Sequence, residues 1–306
     1  MRDDIAGDPV RGVKWTRKTA EKISRHLRRG RTWVSASTVR RLLKQLRFPR
    51  HVNQKTICST RSPERDRQFK CIRRACRRFE TQGRPIVSVD TKKRELIGLF
   101  KHPGAKWAKA AIPVNDHDFR TAALGVAVSY GSYDSQANRG HLFVGTSHDT
   151  AEFAGDARAL WWKREGHDRS PCADRILILA DCGGSNGNRI AAWKCALQEK
   201  LSNPFGLSVT VAHYPPGTSK WNPIEHRLFS EVSKNGAGHP LTSDETMLKY
   251  IRTTKTKPGL SVRATLLKRN YPTGRKPDAD PIFRLKLRPH RILPAWNYTV
   301  APAREM

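Results

Sequence analysis

The chain has 306 residues, and its hydrophobic fraction of 37% is large enough to form a core, which excludes a wholly disordered protein. It has no apolar run of the roughly 18 residues that cross a membrane, no secretory signal pattern, and six cysteines, too few for a disulfide scaffold. We therefore expect a cytoplasmic protein that does not enter membranes. Its 58 Lys and Arg against 27 Asp and Glu give a net charge of +31, which predicts a polyanionic partner, most simply nucleic acid.

The positive charge is concentrated near the N-terminus. Residues 1–84 contain 25 Lys and Arg but only 7 Asp and Glu, whereas the rest of the chain has a more ordinary globular composition. This contrast predicts a basic arm or domain ahead of a larger body. We expect a helix-turn-helix DNA-binding segment at 1–50, a basic linker and helix at 51–83, an α/β domain at 84–250 and a basic C-terminal extension at 251–306.

Residues 16–46 predict two short amphipathic helices separated at Gly30. Ser35 is a favourable N-cap for the second helix. A helix, a turn and a second helix with basic side chains outward is typical of a helix-turn-helix motif, although a structural helical hairpin gives the same apolar spacing. The apolar stripe of the second helix is Val39, Leu42, Leu43 and Leu46. The side chains expected to contact DNA are Ser37, Thr38, Arg40, Arg41 and Lys44.

Beyond residue 84 the pattern changes to alternating strands and helices. The apolar segment 175–180 is the clearest buried strand, and Asp181 follows it. Three strands, a helix, a strand, a helix, a strand and a helix predict a layered α/β fold. Strands are expected at 86–89, 124–133, 141–147, 175–180 and 207–213, and helices at 64–80, 150–166, 187–200 and 222–232.

Three carboxylates stand at informative positions in this fold. Asp90 and Asp181 each end an apolar strand, where ligand sites of open α/β sheets collect. Glu225 lies one turn into a helix that Asn222 and Pro223 begin as N-cap and first residue. Converging carboxylates repel one another unless a cation lies between them, and hard oxygen ligands favour Mg²⁺ or Mn²⁺. Two such ions would support phosphoryl transfer, whereas the alternative is that these residues cap loops and pair with surface arginines.

The glycine-rich segment after Asp181 is a second candidate site. Gly183, Gly184, Ser185 and Asn186 follow a strand and precede a predicted helix, as in loops that approach phosphate closely. The segment lacks the Lys-Ser/Thr ending of a P-loop. We therefore predict close backbone approach to a DNA phosphate beside Asp181.

Several segments are closely similar to the Rhodopirellula-type DDE transposases, an insertion-sequence family related to mariner-like and integrase enzymes. The resemblance runs from about residue 7 to residue 299. It implies a ribonuclease H-like mixed sheet flanked by helices, with Asp90, Asp181 and Glu225 as the catalytic, metal-binding triad. The segments that carry it are VSVDTKK (87–93), ELIGLFKHPGAKW (95–107), ILADCGGSNGNR (178–189), HYPPGTSKWNPIEHRLF (213–229) and AWNYT (295–299).

The resemblance implies a DNA transposase that uses two Mg²⁺ or Mn²⁺ ions, acts on terminal inverted repeats and target DNA, and works as a homodimer or higher oligomer on the bacterial nucleoid. It makes Lys92, Lys93, Lys220 and His226 expected DNA contacts. Family members extend further upstream and have glycine where this chain has Cys182. Two alternatives therefore stand beside the transposase: a shortened, inactive DNA-binding derivative, and a nuclease of the same fold that does not integrate.

Overall fold

The computed structural model describes residues 5–7, 14–16, 18–46, 48, 63–274 and 282–303. The chain divides into two compact units, residues 1–58 and 59–306. Most of the predicted linker between them lies outside the described residues. No helix within the described ranges is long and apolar enough to cross a membrane.

The first unit contains the two predicted helices. A short antiparallel pair, β1 (Ile5–Gly7) and β2 (Lys14–Thr16), precedes α1 (Ala20–Arg29) and α2 (Ala36–Gln45). The Ser35 hydroxyl accepts a hydrogen bond from the backbone N–H of Thr38, which confirms the predicted N-cap. The two predicted helices are therefore confirmed, whereas their role as a helix-turn-helix DNA-binding motif stays a prediction.

The apolar stripe of α2 is only partly buried. Val39 and, on α1, Ile23 are buried, each less than 5% exposed. Leu42 and Leu46, predicted to belong to the same buried stripe, are 41% and 66% exposed. Among the described residues of this unit, α1 is the only other helix, and Val39 is the only buried residue of α2.

The second unit is built on one eight-stranded sheet in the order β8-β5-β4-β3-β6-β7-β10-β9. Its elements are α3 (Arg65–Thr81), β3 (Ile86–Ile97), β4 (Gly125–Asp134), β5 (Arg139–Gly145), α4 (Ala151–Trp161), α5 (His167–Arg169), β6 (Arg175–Asp181), α6 (Ala191–Leu197), α7 (Asn203–Phe205), β7 (Ser208–Tyr214), α8 (Ser230–Asn235), α9 (Asp244–Arg252), β8 (Ser261–Leu267), β9 (Leu287–Pro289) and β10 (Asn297–Val300).

The order of the central strands confirms the ribonuclease H-like prediction. β3, β4 and β5 form an antiparallel meander, and β6 and then β7 add parallel to β3 on its other side. Helices cover both faces of this mixed sheet. The sheet also continues past residue 250, because β8 pairs with β5 and β10 pairs with β7. The segment expected to be a C-terminal extension therefore supplies strands to both sides of the sheet.

The predicted boundaries nearest Asp90 and Asp181 are wrong. The first strand does not end before Asp90 but continues to Ile97, because β4 pairs with it along its whole length across a bulge between Lys92 and Glu95. The helix expected to begin at Gly187 begins at Ala191.

The alternation of side chains along the strands divides the core between the two faces. Val87 and Val89 point toward the face covered by α4 and α6, and Ile86 points toward the opposite face, covered by α3. The second face also holds the helix of residues 223–235, hereafter the Glu225 helix, which includes a π-helical turn at Glu225–Phe229 followed by α8.

Two glycines of the sheet face the Glu225 helix and leave room for its side chains. A methyl group at Gly131 would lie 2.7 Å from Ile224 Cδ1, and one at Gly140 would overlap Leu228. Both helix residues are fully buried. Any larger side chain at either glycine would force the side chains of Ile224, Phe229 or Leu228 to shift in a filled core.

We expect Gly140→Ala to lower the free energy of unfolding by about 1–3 kcal/mol, because its methyl group enters a filled core. Gly125→Ala is the matched control, since a methyl group there meets no atom within 4 Å. Urea denaturation measures both variants. Equal stability of the two would mean that the helix does not need this close approach.

Candidate active site

Asp90 and Asp181 lie side by side on neighbouring parallel strands. The register pairs Ser88 of β3 with Leu179 of β6, and the two aspartates come two residues later on each strand. Adjacent strands are about 4.8 Å apart, and residues two apart share a face. Both carboxylates therefore lie on the face of the sheet that carries the Glu225 helix.

Gly131 brings Glu225 to these aspartates. It is the register partner of Asp90 on β4, and its missing side chain leaves the space that Ile224 and Phe229 fill. Glu225 follows Ile224 and is partly exposed. It opens the π-helical turn, a feature that recurs at functional sites.

A buried polar link fixes the start of this helix to the sheet. The Ser88 hydroxyl donates to the side-chain oxygen of Asn222, and the backbone N–H of Ile224 donates to the Ser88 hydroxyl at 3.2 Å. The Asn222 amide donates to Asp181 Oδ1 at 3.0 Å and to the Val89 carbonyl at 3.3 Å. Asn222 precedes the helix as predicted, but its side chain bonds the sheet instead of capping the helix.

The three carboxylates interact strongly with one another. Burial, the charge of Asp181 and contact with Glu225 raise the pKa of Asp90 to about 8, although the backbone N–H of Thr91 donates to it. Burial and the charge of Glu225 raise the pKa of Asp181 to about 6, against the opposing hydrogen bond from Asn222. The cluster therefore binds protons at a pH where isolated aspartates are ionised.

Within the described ranges, no three His, Cys, Asp or Glu side chains have the spacing of a metal site. The donor set still suits a hard divalent cation. Three carboxylates held together against their own repulsion, with the pKa values of both aspartates raised by that repulsion and by burial, gain most from a positive charge between them.

A cleft of about 690 Å³ opens over Asp90 and Asp181. Gly183 and Gly184 line it and are exposed, with Gly184 at a φ of +73°. Ser185 and Asn186 turn inward and are buried, so the structure separates the four predicted loop residues into two pairs. The loop does not open a helix, because α6 begins only at Ala191.

Basic residues of β3 separate this cleft from a second groove of about 770 Å³, which Glu225 lines. Lys92, Lys93 and Arg94 line both. Lys93 and Arg94 are exposed. Lys92 is 10% exposed and forms an ion pair with Glu95 at 2.7 Å.

The other predicted contact residues lie on exposed surface. Lys220 and His226 are both exposed, and the His226 ring contacts the Lys220 carbonyl oxygen. Glu231 lies on the same helix as Glu225 and forms an ion pair with Lys234 at 2.6 Å. In the first unit, Ser37, Arg40, Arg41 and Lys44 are exposed, whereas Thr38 is partly buried and contacts the Ser35 hydroxyl. Arg40 also pairs with Glu21.

Sequence reasoning missed four residues of this site. The roles of Ser88 and Gly131 cannot be predicted without the strand register. The position of Asn222 in the sequence predicts an ordinary N-cap. Asp149 lines the cleft as a third carboxylate beside Asp90 and Asp181, and it accepts a hydrogen bond from the Thr91 hydroxyl at 3.3 Å. Asp149 directly precedes the N-cap Thr150, a position where a sequence pattern suggests only helix initiation.

The family model described as "Rhodopirellula transposase DDE domain" matches residues 1–302. Similar solved structures include the Mos1 transposase paired-end complex with the left transposon end (15% identity, TM-score 0.47) and a pre-cleavage Mos1 transpososome (16%, 0.46). Each match covers 76% of this chain and 65% of the Mos1 chain, so this chain spans slightly less than two thirds of the Mos1 length. No curated protein shows significant sequence similarity to the chain.

Without divalent cations, we expect Asp90→Asn to become more stable relative to the wild type as the pH rises. The difference in the free energy of unfolding between the two proteins should shift in favour of the variant by at least about 1 kcal/mol from pH 5 to pH 8.5. The raised pKa values mean that the folded protein holds protons which the unfolded chain releases above about pH 4. Wild-type stability is therefore lost as the pH rises through 6 and 8, and an amide at position 90 removes part of that loss.

Urea unfolding in EDTA across this pH range measures the effect, with Glu231→Gln as the control outside the cluster. A constant difference between Asp90→Asn and the wild type would mean that the three carboxylates do not repel one another in the folded protein.

Proposed function

The chain belongs to the Rhodopirellula transposase DDE domain family, and we propose that it is a DNA transposase whose catalytic carboxylates are Asp90, Asp181 and Glu225. The observation that carries the proposal is geometric: Asp90 and Asp181 lie on neighbouring strands beside an open cleft, and the start of the Glu225 helix is fixed next to them by Gly131 and Asn222. In a chain of net charge +31, three neighbouring carboxylates are best explained by a bound cation.

Mg²⁺ or Mn²⁺ is the proposed cofactor, as two ions held by Asp90, Asp181 and Glu225. Bound there, the ions would activate a water or a 3′-hydroxyl and stabilise the leaving oxygen in phosphoryl transfer. The protein's own residues prepare the ligands. Asn222 orients Asp181 through its amide, Thr91 orients Asp90 through its backbone N–H, and the π-helical turn directs Glu225 toward both.

The basic residues around the cleft are the proposed path of the DNA backbone. Lys93 and Arg94 are exposed between the two grooves, where they would contact phosphates on either side of the carboxylates. Gly183 and Gly184 leave the backbone open to a phosphate from the other wall of the cleft. Lys220 and His226 add exposed contacts on the loop and helix that carry Glu225.

In this proposal, the first unit binds the element's terminal repeats and recognises their sequence. Its second helix exposes Arg41 and Lys44, together with Ser37 near its N-terminus, which in helix-turn-helix proteins enters the major groove. Transposition joins two element ends to one target, so the proposal includes at least two copies of the chain on DNA.

We expect Glu225→Gln to slow strand cleavage at least about 100-fold, because it removes a charged ligand from a site organised by metal ions. Asp90→Asn should abolish cleavage while leaving DNA binding intact. Glu231→Gln is the matched control on the same helix and should change cleavage less than about threefold, as a surface substitution does. Nicking of supercoiled DNA in Mg²⁺ or Mn²⁺ measures all three variants.

The reaction products separate the alternatives. Nicking without joined products would indicate a nuclease of the same fold, and DNA binding without nicking would indicate an inactive derivative. An essential Glu231 beside a dispensable Glu225 would show that the triad is wrongly assigned.

DNA affinity should depend steeply on salt, and replacing Arg40, Arg41 and Lys44 together by Ala should reduce the log–log salt slope by about 2–3 units, because each phosphate contact releases counterions. Fluorescence anisotropy over a salt series measures the slope. The charge-matched control replaces three exposed lysines of the second unit, Lys163, Lys249 and Lys257. An unchanged slope in the first variant would remove this helix from the DNA interface.

A further inference from the structure

Three aromatic side chains form a pocket on the second unit, hereafter the aromatic pocket. Phe69 of α3 lies 5.8 Å from Trp221 and 6.2 Å from Tyr214, measured between ring centroids. The space they border is about 710 Å³, within the range of pockets that hold small ligands. Trp221 is 43% exposed, so the pocket has an indole surface open to solvent.

Cations surround these rings. The Arg65 guanidinium lies 5.0 Å from the Trp221 ring centre and 6.0 Å from that of Phe69, and the Lys220 ammonium lies 4.2 Å from Trp221. Arg73 also lines the pocket, and Asp66 is the one carboxylate among its lining residues within the described chain. Aromatic faces combined with an excess of positive charge suit a ligand that is both flat and anionic.

The aromatic pocket adjoins the carboxylate cluster. Tyr214 is the register partner of Asp181 on the neighbouring strand. Trp221 directly precedes Asn222, whose amide donates to Asp181. A ligand bound between Tyr214 and Trp221 therefore lies beside the strand end that carries Asp181.

We propose that the aromatic pocket binds the base of an unpaired nucleotide next to the DNA strand that is cut or joined. This inference rests on the proposed function and adds a feature of its substrate: at least one nucleotide beside the reacting phosphate is unstacked from the duplex. Every base has a flat π-face that an aromatic side chain can stack on, and Arg65 and Lys220 would meet the phosphates that flank it.

Neither a structural role nor simple phosphate binding accounts for all the features of the pocket. A purely structural aromatic cluster would bury Trp221, as the core buries Trp162 and Trp193 to 1% exposure or less. A phosphate-binding patch would need the cations but not three converging rings. An unpaired nucleotide uses both the rings and the charges.

The test compares Trp221→Ala with the wild type in binding a blunt duplex and the same duplex with a short single-stranded 3′ overhang. We expect Trp221→Ala to weaken overhang binding about 5- to 150-fold, the range for loss of one base–aromatic stack, and to leave blunt-duplex affinity unchanged. Trp221→Phe should recover most of the overhang affinity. Trp107→Ala is the matched control, because Trp107 is fully exposed outside the pocket.

Fluorescence of 2-aminopurine at the first unpaired position gives a second readout. Stacking on Trp221 should quench it in the wild type and in Trp107→Ala, and the quenching should be lost in Trp221→Ala. Thermal unfolding establishes that each variant is folded. Equal weakening of both DNAs, no effect on either, or failure of Trp221→Phe to restore overhang binding would each overturn the proposal.

The binding measurements are made in EDTA and need no cleavage, so they are independent of the triad. A wild-type protein that prefers overhang DNA through Trp221 but never nicks DNA would contradict the proposed transposase while supporting the pocket. A protein that nicks DNA but binds overhang and blunt duplex alike would contradict the pocket proposal while supporting the proposed transposase.

Discussion

The Glu225 helix packs against two glycines of the sheet, and the geometry of the candidate site depends on that packing. Gly131 and Gly140 leave room for Ile224, Leu228 and Phe229, which fill it completely. The buried link between Ser88 and Asn222 then fixes where along the sheet the helix begins. Packing sets the distance between helix and sheet, and hydrogen bonding sets the register of the helix along it.

This close packing forces like charges together. Asp90 and Asp181 are already neighbours by strand register, and the helix adds Glu225 above them, so burial and mutual repulsion raise the pKa values of both aspartates. The folded state tolerates this repulsion because the buried apolar contacts of the same helix stabilise it and offset the electrostatic cost. Such an arrangement, unfavourable by itself and relieved by an added cation, is the expected condition of a site that recruits divalent metal ions.

The loop between β7 and the Glu225 helix connects the carboxylate site with the aromatic pocket. Its last residues, Trp221 and Asn222, follow one another, yet Asn222 is fully buried against Asp181 while Trp221 is exposed in the aromatic pocket. A short 3-10 turn at Ser219–Trp221 gives these neighbours opposite directions. A nucleotide held at Trp221 would thereby be placed relative to the carboxylates by a single peptide unit, with no flexible segment between them.

The sequence by itself determined the type of each element: a basic helical pair with an N-cap at Ser35, strands that lead to Asp90 and Asp181, and a helix that begins after Asn222. These follow from local rules, because apolar periodicity, caps and proline act over a few residues. The resemblance of its motifs to the transposase family also lay in the sequence alone, and the family match confirms it.

Only the tertiary structure decided how these parts meet. Leu42 and Leu46 have the spacing of buried residues, yet they stay exposed because burial depends on a partner surface that periodicity does not describe. Asn222 bonds to Asp181 across 41 residues of sequence and to Ser88 across 134. Strand pairing similarly drew residues 261–267 and 297–300 into the sheet from a tail whose composition suggested an extension. Contacts between distant segments depend on strand register and on the space that glycines leave, and neither is written in the pattern of any one segment.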